Sequence, residues 1–95
     1  MFQSISELKA KNRERGSHFF SPSTMRFFHS RIESRLYGGR FFITSEQREY
    51  TTPRRFTVRE ALPSGDIRTV GEFHAYVHIA DARAVCRALC KARQS

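Results

Sequence analysis

The feature that most constrains this chain is Gly38-Gly39, a pair of glycines between two segments with a strand-like pattern. Residues 31–37 change character at every second position, and residues 40–44 return with apolar side chains on both faces. A period of two is typical of a β-strand. Two consecutive glycines tolerate the positive φ angles of a tight turn. The segment is therefore predicted to form a β-hairpin.

Two further strands are predicted after a polar loop at residues 45–53. Residues 54–61 form the third strand, and residues 67–77 form a long fourth strand in which Gly71 indicates a bulge or a close contact. Between them, residues 62–66 combine Pro and Gly as a turn requires. The four strands are predicted to form a meander sheet.

Two short helices are predicted before the hairpin. Ser4 begins a capping box for the first helix, and Gly16 suits the left-handed position that ends it. Ser21 is predicted to cap the second helix, with Pro22 at the first helical position, where a missing N–H costs nothing. This second helix is expected to run to about Ser30.

A third helix is predicted at the C-terminus, with the Asp81 side chain as its cap. Apolar side chains there recur at intervals of three and four residues, which is a helical period. The apolar face carries Ala82, Val85, Cys86, Leu89 and Cys90. The opposite side carries a basic row made of Arg83, Arg87 and Lys91.

These elements predict one α+β domain spanning residues 1–95. The expected architecture is a four-stranded antiparallel meander sheet with the two N-terminal helices and the one C-terminal helix packed against it. No segment approaches the roughly 20 apolar residues that a membrane helix needs. Residues 1–15 lack the apolar core of a secretory signal. The expected location is the cytoplasm, and no membrane partner is expected.

The charge of the chain favours an acidic partner. The formal net charge is +8, from 17 Lys and Arg against 9 Asp and Glu, and the guanidinium group of Arg pairs with phosphate or carboxylate through a planar fork. The basic residues fall on the first helix, on the third and fourth strands, and on the last helix. The candidate binding residues among them are Arg54, Arg55, Arg59, Arg83, Arg87 and Lys91.

Phe41 and Phe42 are adjacent on a predicted strand, so their side chains face opposite sides of the sheet. In one interpretation, the N-terminal segments cover Phe42. In the other, Phe42 is exposed beside arginines and stacks on the bases of a single-stranded nucleic acid. The sequence leaves both open, and Phe42 is a candidate binding residue in the second.

No catalytic residue, metal ion or cofactor is predicted, and the protein is not expected to be an enzyme. His74 and His78 lie four residues apart on a predicted strand, which places them about 13 Å apart and too far to share a metal ion. Glu46 and Glu49 fall in the predicted loop and are expected to be solvated. No nucleophile elbow or phosphate loop accompanies the serines and histidines.

Four sequence blocks resemble a family of small uncharacterised proteins from bacteriophages and prophages. The blocks are HFFSPSTMRFFHSRI at residues 18–32, FITSEQ at 42–47, RRFTVR at 54–59 and TVGEF at 69–73. The likeness covers most of residues 5–90. Small phage accessory proteins act by binding host machinery, including CRISPR effector complexes. The resemblance therefore implies a phage protein that works inside a bacterial cell.

Two hypotheses for the function follow. The first is a non-enzymatic phage accessory protein that binds a host protein or ribonucleoprotein complex and modulates or inhibits it, with anti-CRISPR activity as one form. The alternative is direct nucleic-acid binding through the arginine clusters and an exposed aromatic side chain. An acidic mimic of nucleic acid is disfavoured, because the chain is strongly basic.

Overall fold

The structure is a computed structural model that describes residues 2–47, 49 and 51–94. Two helices precede a group of four strands, and a longer helix follows it. The elements are α1 (Ile5–Glu14), α2 (Pro22–Phe27), β1 (Arg31–Ile32), β2 (Phe41–Glu46), β3 (Arg55–Ala61), β4 (Ile67–Val70) and α3 (Ile79–Gln94).

The four strands form one antiparallel sheet in the order β1-β2-β3-β4. Each strand pairs with its neighbour in sequence, so the predicted meander and the α+β class are confirmed. The longest pairing joins β2 to β3, from Phe41 opposite Glu60 to Glu46 opposite Arg55. This pair forms the centre of the sheet, and the shorter strands β1 and β4 form its edges.

The predicted hairpin is present, but its ladder is shorter than the sequence pattern suggests. Gly38 and Gly39 have φ angles of 59° and 70°, and Tyr37 bridges to Phe41 across the turn. Regular pairing of β1 stops after Ile32. The reason is local, because the Ser34 hydroxyl accepts the hydrogen bond from the N–H of Ile43 in place of a backbone carbonyl.

Two strand boundaries differ from the prediction. The second strand continues to Glu46, which was predicted to be solvated in a loop but is only 2 % exposed. The partners of its carboxylate lie on distant segments, which a local pattern cannot reveal. The fourth strand ends at Val70 and does not reach residue 77. Gly71, with a φ of 75°, follows its end and does not form a bulge inside it.

One face of the sheet packs against α3. The core on this side contains Phe41, Ile43 and Val58 from the sheet, with Ala82 and Cys86 from the helix. Burial raises the pKa of the Cys86 thiol to about 11, so this thiol stays protonated at neutral pH. The apolar face predicted for the last helix is therefore the face that covers the sheet.

The other face of the sheet packs against the N-terminal segment. Leu8 from α1 forms a buried cluster with Phe42 and Ala61, and Phe19 and Phe20 pack at its border. Phe42 has no exposed surface, and its ring centroid lies 6.0 Å from that of Phe20. The interpretation of Phe42 as an exposed stacking residue is therefore wrong, because the segment before α2 covers it.

A buried polar contact fixes α1 against the turn between β3 and β4. The Nδ2 atom of Asn12 donates a hydrogen bond to the Gly65 carbonyl at 2.7 Å. Gly65 has a φ of 96°, and a Cβ atom there would lie 2.8 Å from Cγ of Lys11. Only glycine fits this close approach.

The start of α3 differs from the prediction. The helix begins at Ile79, so Asp81 lies inside its first turn and does not cap it. The N–H of Asp81 donates to the carbonyl of His78. A carboxylate in the first turn remains favourable there, because it faces the positive end of the helix dipole.

The caps of the first two helices are as predicted. Ser4 and Ser21 are the N-caps of α1 and α2. Gly16, with a φ of 90°, follows the C-cap of α1. These positions depend on local contacts within a few residues, which is why the sequence alone indicates them.

Replacing Ser21 with alanine is expected to lower the free energy of unfolding by about 1 kcal/mol. The Ser21 hydroxyl accepts a hydrogen bond from the N–H of Thr24 at 3.2 Å and donates one to the Thr24 hydroxyl at 2.8 Å. Urea melts measure the difference. Ser23→Ala, at an exposed position of the same helix, is the matched control and should leave the midpoint unchanged. Equal midpoints for wild type and Ser21→Ala would contradict the role of this cap.

Candidate partner-binding surface

The outward side of α3 is a basic face made of Arg83, Arg87 and Lys91. All three side chains are exposed, because Ala82 and Cys86 turn the opposite side of the helix into the core. None of the three forms an ion pair with any residue that the structure describes. The predicted row is thus a set of free cations spaced one helical turn apart.

A shallow groove beside this helix brings another arginine next to two of these three residues. Arg35 joins Arg87 and Lys91 in lining a groove of about 360 Å³, here called the hairpin groove. The guanidinium of Arg35 lies 5.6 Å from the ring centroid of Tyr37. Arg83 does not line the groove and extends the basic face beyond it.

Close packing of the hairpin turn on α3 creates this groove. A Cβ atom on Gly38 would collide with Sγ of Cys90, so the glycine allows the turn to rest directly on the end of the helix. The sequence prediction did not include Arg35. The alternation of residues 31–37 was the available signal, since it places Arg35 and Tyr37 on one face.

A second shallow groove, here called the edge groove, lies between α2 and the start of β3. Its volume is about 410 Å³, and Arg26, Arg31 and Arg54 contribute its charges. Nη1 of Arg54 donates to the carbonyl of Ser45 at 3.1 Å. Burial lowers the pKa of Arg54, and the nearby charge of Arg31 lowers it further, against the opposing effect of Glu33 and Glu46.

A third groove adjoins the second through a shared residue. Gln47 lines both grooves, and this one, here called the strand-end groove, has a volume of about 380 Å³. Arg55 and His74 line it together with Glu46, Thr52 and Pro53. Arg54, just before β3, and Arg55, the first residue of β3, thus lie on two neighbouring grooves.

Arg59 is not part of an exposed basic surface, contrary to the prediction. Its side chain is 11 % exposed and lies 3.6 Å from the carboxylate of Glu46, which is 2 % exposed. It also donates to the hydroxyls of Thr44 and Thr69. Burial lowers the pKa of Arg59, while Glu46 acts in the opposite direction. This arginine therefore stabilises the fold.

Glu46 is the centre of a buried polar cluster that the sequence did not indicate. Thr57 donates a hydrogen bond to its Oε1 atom at 2.9 Å, and Nε2 of His74 lies 3.5 Å from the same atom. The hydroxyl of Ser30 donates to Oε2 at 3.4 Å. The partners come from separate elements, so only the folded sheet brings them together.

Arg68 also stabilises the fold, through an ion pair with a buried carboxylate. It pairs with Glu60 at 2.5 Å, and Arg40 pairs with the other oxygen of the same carboxylate at 2.6 Å. Burial alone would raise the pKa of Glu60, but the hydrogen bonds from the two arginines outweigh it and hold the pKa below its ordinary value. The basic group predicted on β3 and β4 is therefore divided. Arg54 and Arg55 line grooves, while Arg59 and Arg68 neutralise buried carboxylates.

The geometry also bears on metal sites and on membrane-spanning helices. In residues 2–47, 49 and 51–94, no group of three His, Cys, Asp or Glu side chains is arranged to hold a metal ion. Within the same residues, no helix has the length and apolar character needed to cross a membrane.

Comparison with known proteins identifies a family. The model of a family of unknown function, DUF7447, matches residues 4–87, which include the sheet and most of α3. Among curated proteins and among solved structures, none matches the chain.

Proposed function

We propose that this chain, which belongs to DUF7447, a family of unknown function, is a non-enzymatic accessory protein that binds an acidic surface of a host protein or ribonucleoprotein complex. Binding modulates or inhibits that complex. The proposed setting is the cytoplasm of a bacterial cell that carries the phage, and inhibition of a CRISPR effector is one form of the activity. The sequence resemblance supports this setting, and the basic face of α3 supports the mode of binding.

The observation that carries the proposal is the set of free cations on one rigid helix. Arg83, Arg87 and Lys91 are exposed, and Arg35 joins two of them in the hairpin groove. The helix is held by its buried side, so these side chains have no part in the core. They are therefore available to pair with carboxylates or phosphates without loss of stability.

Electrostatics favours an acidic partner for such a face. Surface charges of one sign attract a surface of the opposite sign and raise the rate of association. A guanidinium group also pairs with a carboxylate through two parallel hydrogen bonds, which adds geometric specificity. The hairpin groove offers a recess for an acidic side chain, with two arginines and a lysine around it.

Reversing two charges on this face is expected to weaken the complex strongly. In Arg83→Glu/Arg87→Glu, contacts with acidic groups of the partner become repulsive. The binding free energy should fall by 2 kcal/mol or more, which is about 30-fold in affinity. The melting temperature should hardly change, because both side chains are exposed. Affinity purification from a bacterial lysate, with tagged wild type and variant as baits, measures the amount of each partner recovered.

The matched control is Lys9→Glu/Arg13→Glu, which makes the same charge change at two exposed positions four residues apart on α1. This control should recover the partner as wild type does. Equal loss in both variants would show that net charge alone drives the capture. Full recovery by Arg83→Glu/Arg87→Glu would show that the face of α3 is only solvated, and the proposal would fail.

A further inference from the structure

We propose that the edge groove and the adjoining strand-end groove form a binding site for single-stranded nucleic acid, in which arginines contact phosphates and exposed phenylalanine rings stack on bases. The site uses none of the residues on α3. It is therefore independent of the partner proposed above, and each proposal can fail without the other.

The charge of the edge groove suits phosphate. Three arginines contribute to its lining, and no carboxylate lines it among the residues that the structure describes. Arg26 and Arg31 are exposed, and Arg54 is held in place by its hydrogen bonds to Ser45. The planar fork of Arg matches the oxygens of a phosphate group. Binding an anion there would also relieve the repulsion between Arg31 and Arg54.

Exposed aromatic rings lie next to these cations in the chain. Phe27 is 78 % exposed and Phe28 is 47 % exposed, and both directly follow Arg26. Their rings meet edge to face, with centroids 4.9 Å apart and planes at 83°. This contact uses the edge of one ring and one face of the other, so the remaining ring faces are not engaged in it. Phe27 and Phe28 do not line the edge groove, but they lie in the chain between Arg26 and His29, which do. Aromatic rings near basic side chains are the usual platform for unpaired bases.

A third exposed ring is next in the chain to a residue of the strand-end groove. Phe73 is 49 % exposed and stacks on His74, with ring centroids 3.9 Å apart. His74 lines that groove. Phe73 is thus next in the chain to a residue of the strand-end groove, as Phe27 and Phe28 are next to residues of the edge groove. Because buried Glu46 lines the strand-end groove, phosphate contacts belong to the edge groove, and the strand-end groove suits a base.

The backbone at the strand-end groove has an uncommon conformation. His74 lines this groove and has a positive φ angle of 62°. Strained conformations concentrate at ligand sites, because the surrounding structure must hold them. His29 lines the edge groove and also has a positive φ angle, 51°, but this conformation closes the end of α2. The N–H of His29 donates to the carbonyl of Arg26, and the N–H of Ser30 donates to that of Met25, as is usual at a helix C-terminus.

The exposed rings distinguish a single strand from the other acidic ligands. The bases of a duplex stack on each other and offer no open face, while an acidic peptide would use the arginines but not the rings. A single strand offers phosphates and unpaired bases together. We therefore expect a measurable contribution from the bases in addition to that of the phosphates.

Fluorescence anisotropy with labelled strands tests the proposal. The probes are a short oligothymidylate, an abasic strand with the same number of phosphates, the matching duplex and a glutamate peptide of equal charge. Wild type should bind oligothymidylate about tenfold more tightly than the abasic strand, as expected for one stacked base. The duplex and the peptide should bind more weakly than oligothymidylate. Three neutralised phosphates predict a log–log salt slope of about −2.

Two variants with matched controls locate the site. Phe27→Ala should reduce the preference for oligothymidylate over the abasic strand, and Phe27→Ala/Phe28→Ala/Phe73→Ala should abolish it. Val77→Ala, at another exposed apolar position, should keep it. Arg31→Glu should weaken binding about tenfold and reduce the salt slope by about 0.7 or more. Arg13→Glu, with the same charge change on α1, should leave both values near those of wild type.

Several results would overturn the proposal. Equal affinity for the abasic strand and oligothymidylate in wild type would show that no base is stacked. A preference that survives the triple phenylalanine substitution would place the stacking outside this site. Equal or tighter binding of the duplex or the glutamate peptide would point to a different partner, and the absence of binding to any strand would remove the site altogether.

Discussion

Phe42→Ala is expected to lower the free energy of unfolding by about 3–5 kcal/mol, the range for truncating a fully buried phenylalanine. Phe42 has no exposed surface, and its ring is enclosed by Leu8, Phe19 and Phe20. The substitution leaves a cavity between the sheet and the N-terminal segment. Urea denaturation followed by circular dichroism measures the loss.

The matched control is Phe27→Ala, which removes the same atoms at a position that is 78 % exposed. It should change the free energy of unfolding by about 0.5 kcal/mol or less. Phe42→Leu keeps most of the volume and should fall between the two, which provides a measurement if the alanine variant does not fold. A cost below about 1 kcal/mol for Phe42→Ala would mean that the N-terminal segment does not cover this face.

Arg59→Met is expected to lower the free energy of unfolding by about 3–5 kcal/mol, the range for breaking a buried ion pair by removing one partner. The guanidinium lies 3.6 Å from the carboxylate of Glu46, and both side chains are largely buried. Methionine fills much of the same space but leaves the carboxylate without this cation. The same denaturation measurement gives the loss.

A double-mutant cycle shows whether the unpaired carboxylate of Glu46 causes that loss of stability. Glu46→Gln/Arg59→Met should be more stable than Arg59→Met alone, because the second substitution removes the buried negative charge. Arg55→Met, at an exposed position on the same strand, is the control and should leave the free energy of unfolding nearly unchanged. If Arg59→Met also left the free energy of unfolding nearly unchanged, the polar cluster around Glu46 would not stabilise the sheet.

The parts of the fold that depend on neighbouring residues could be predicted from the sequence. The hydroxyls at Ser4 and Ser21 act within one helical turn, and the two glycines at the hairpin need only a local backbone conformation. The order of strands then followed, because short connections join antiparallel neighbours. These features explain why the meander and its flanking helices were correct.

Features that depend on distant contacts could not be predicted. Glu46 looks like a loop residue until Thr57 and His74 lie beside it in the folded sheet. Alternation placed Phe41 and Phe42 on opposite faces, but it could not say which face the N-terminal segment would cover. The charge of Arg59 likewise suggested an exposed group, because nothing local indicates that a carboxylate on the adjacent strand neutralises it.

The candidate surface shows the same division. The basic row on α3 is a helical repeat, so the period of the sequence was enough to find it. The hairpin groove adds Arg35 from the segment between β1 and β2, which is far from α3 in sequence. Bringing it there requires the packing of Gly38 on Cys90. The exposed rings of Phe27 and Phe28 were missed because the sequence favoured a packed role for α2, whereas none of its residues is buried.

Zero-length cross-linking with a carbodiimide tests the central claim, that the basic face of α3 binds an acidic partner, most directly. This reagent joins lysine amines to carboxylates in contact with them, and the chain has three lysines, Lys9, Lys11 and Lys91. Lys91 lies on the proposed face, while the other two lie on α1 and serve as internal controls. The captured complex should yield cross-links from Lys91 to aspartate or glutamate of the partner. Cross-links from Lys9 or Lys11 alone would contradict the claim.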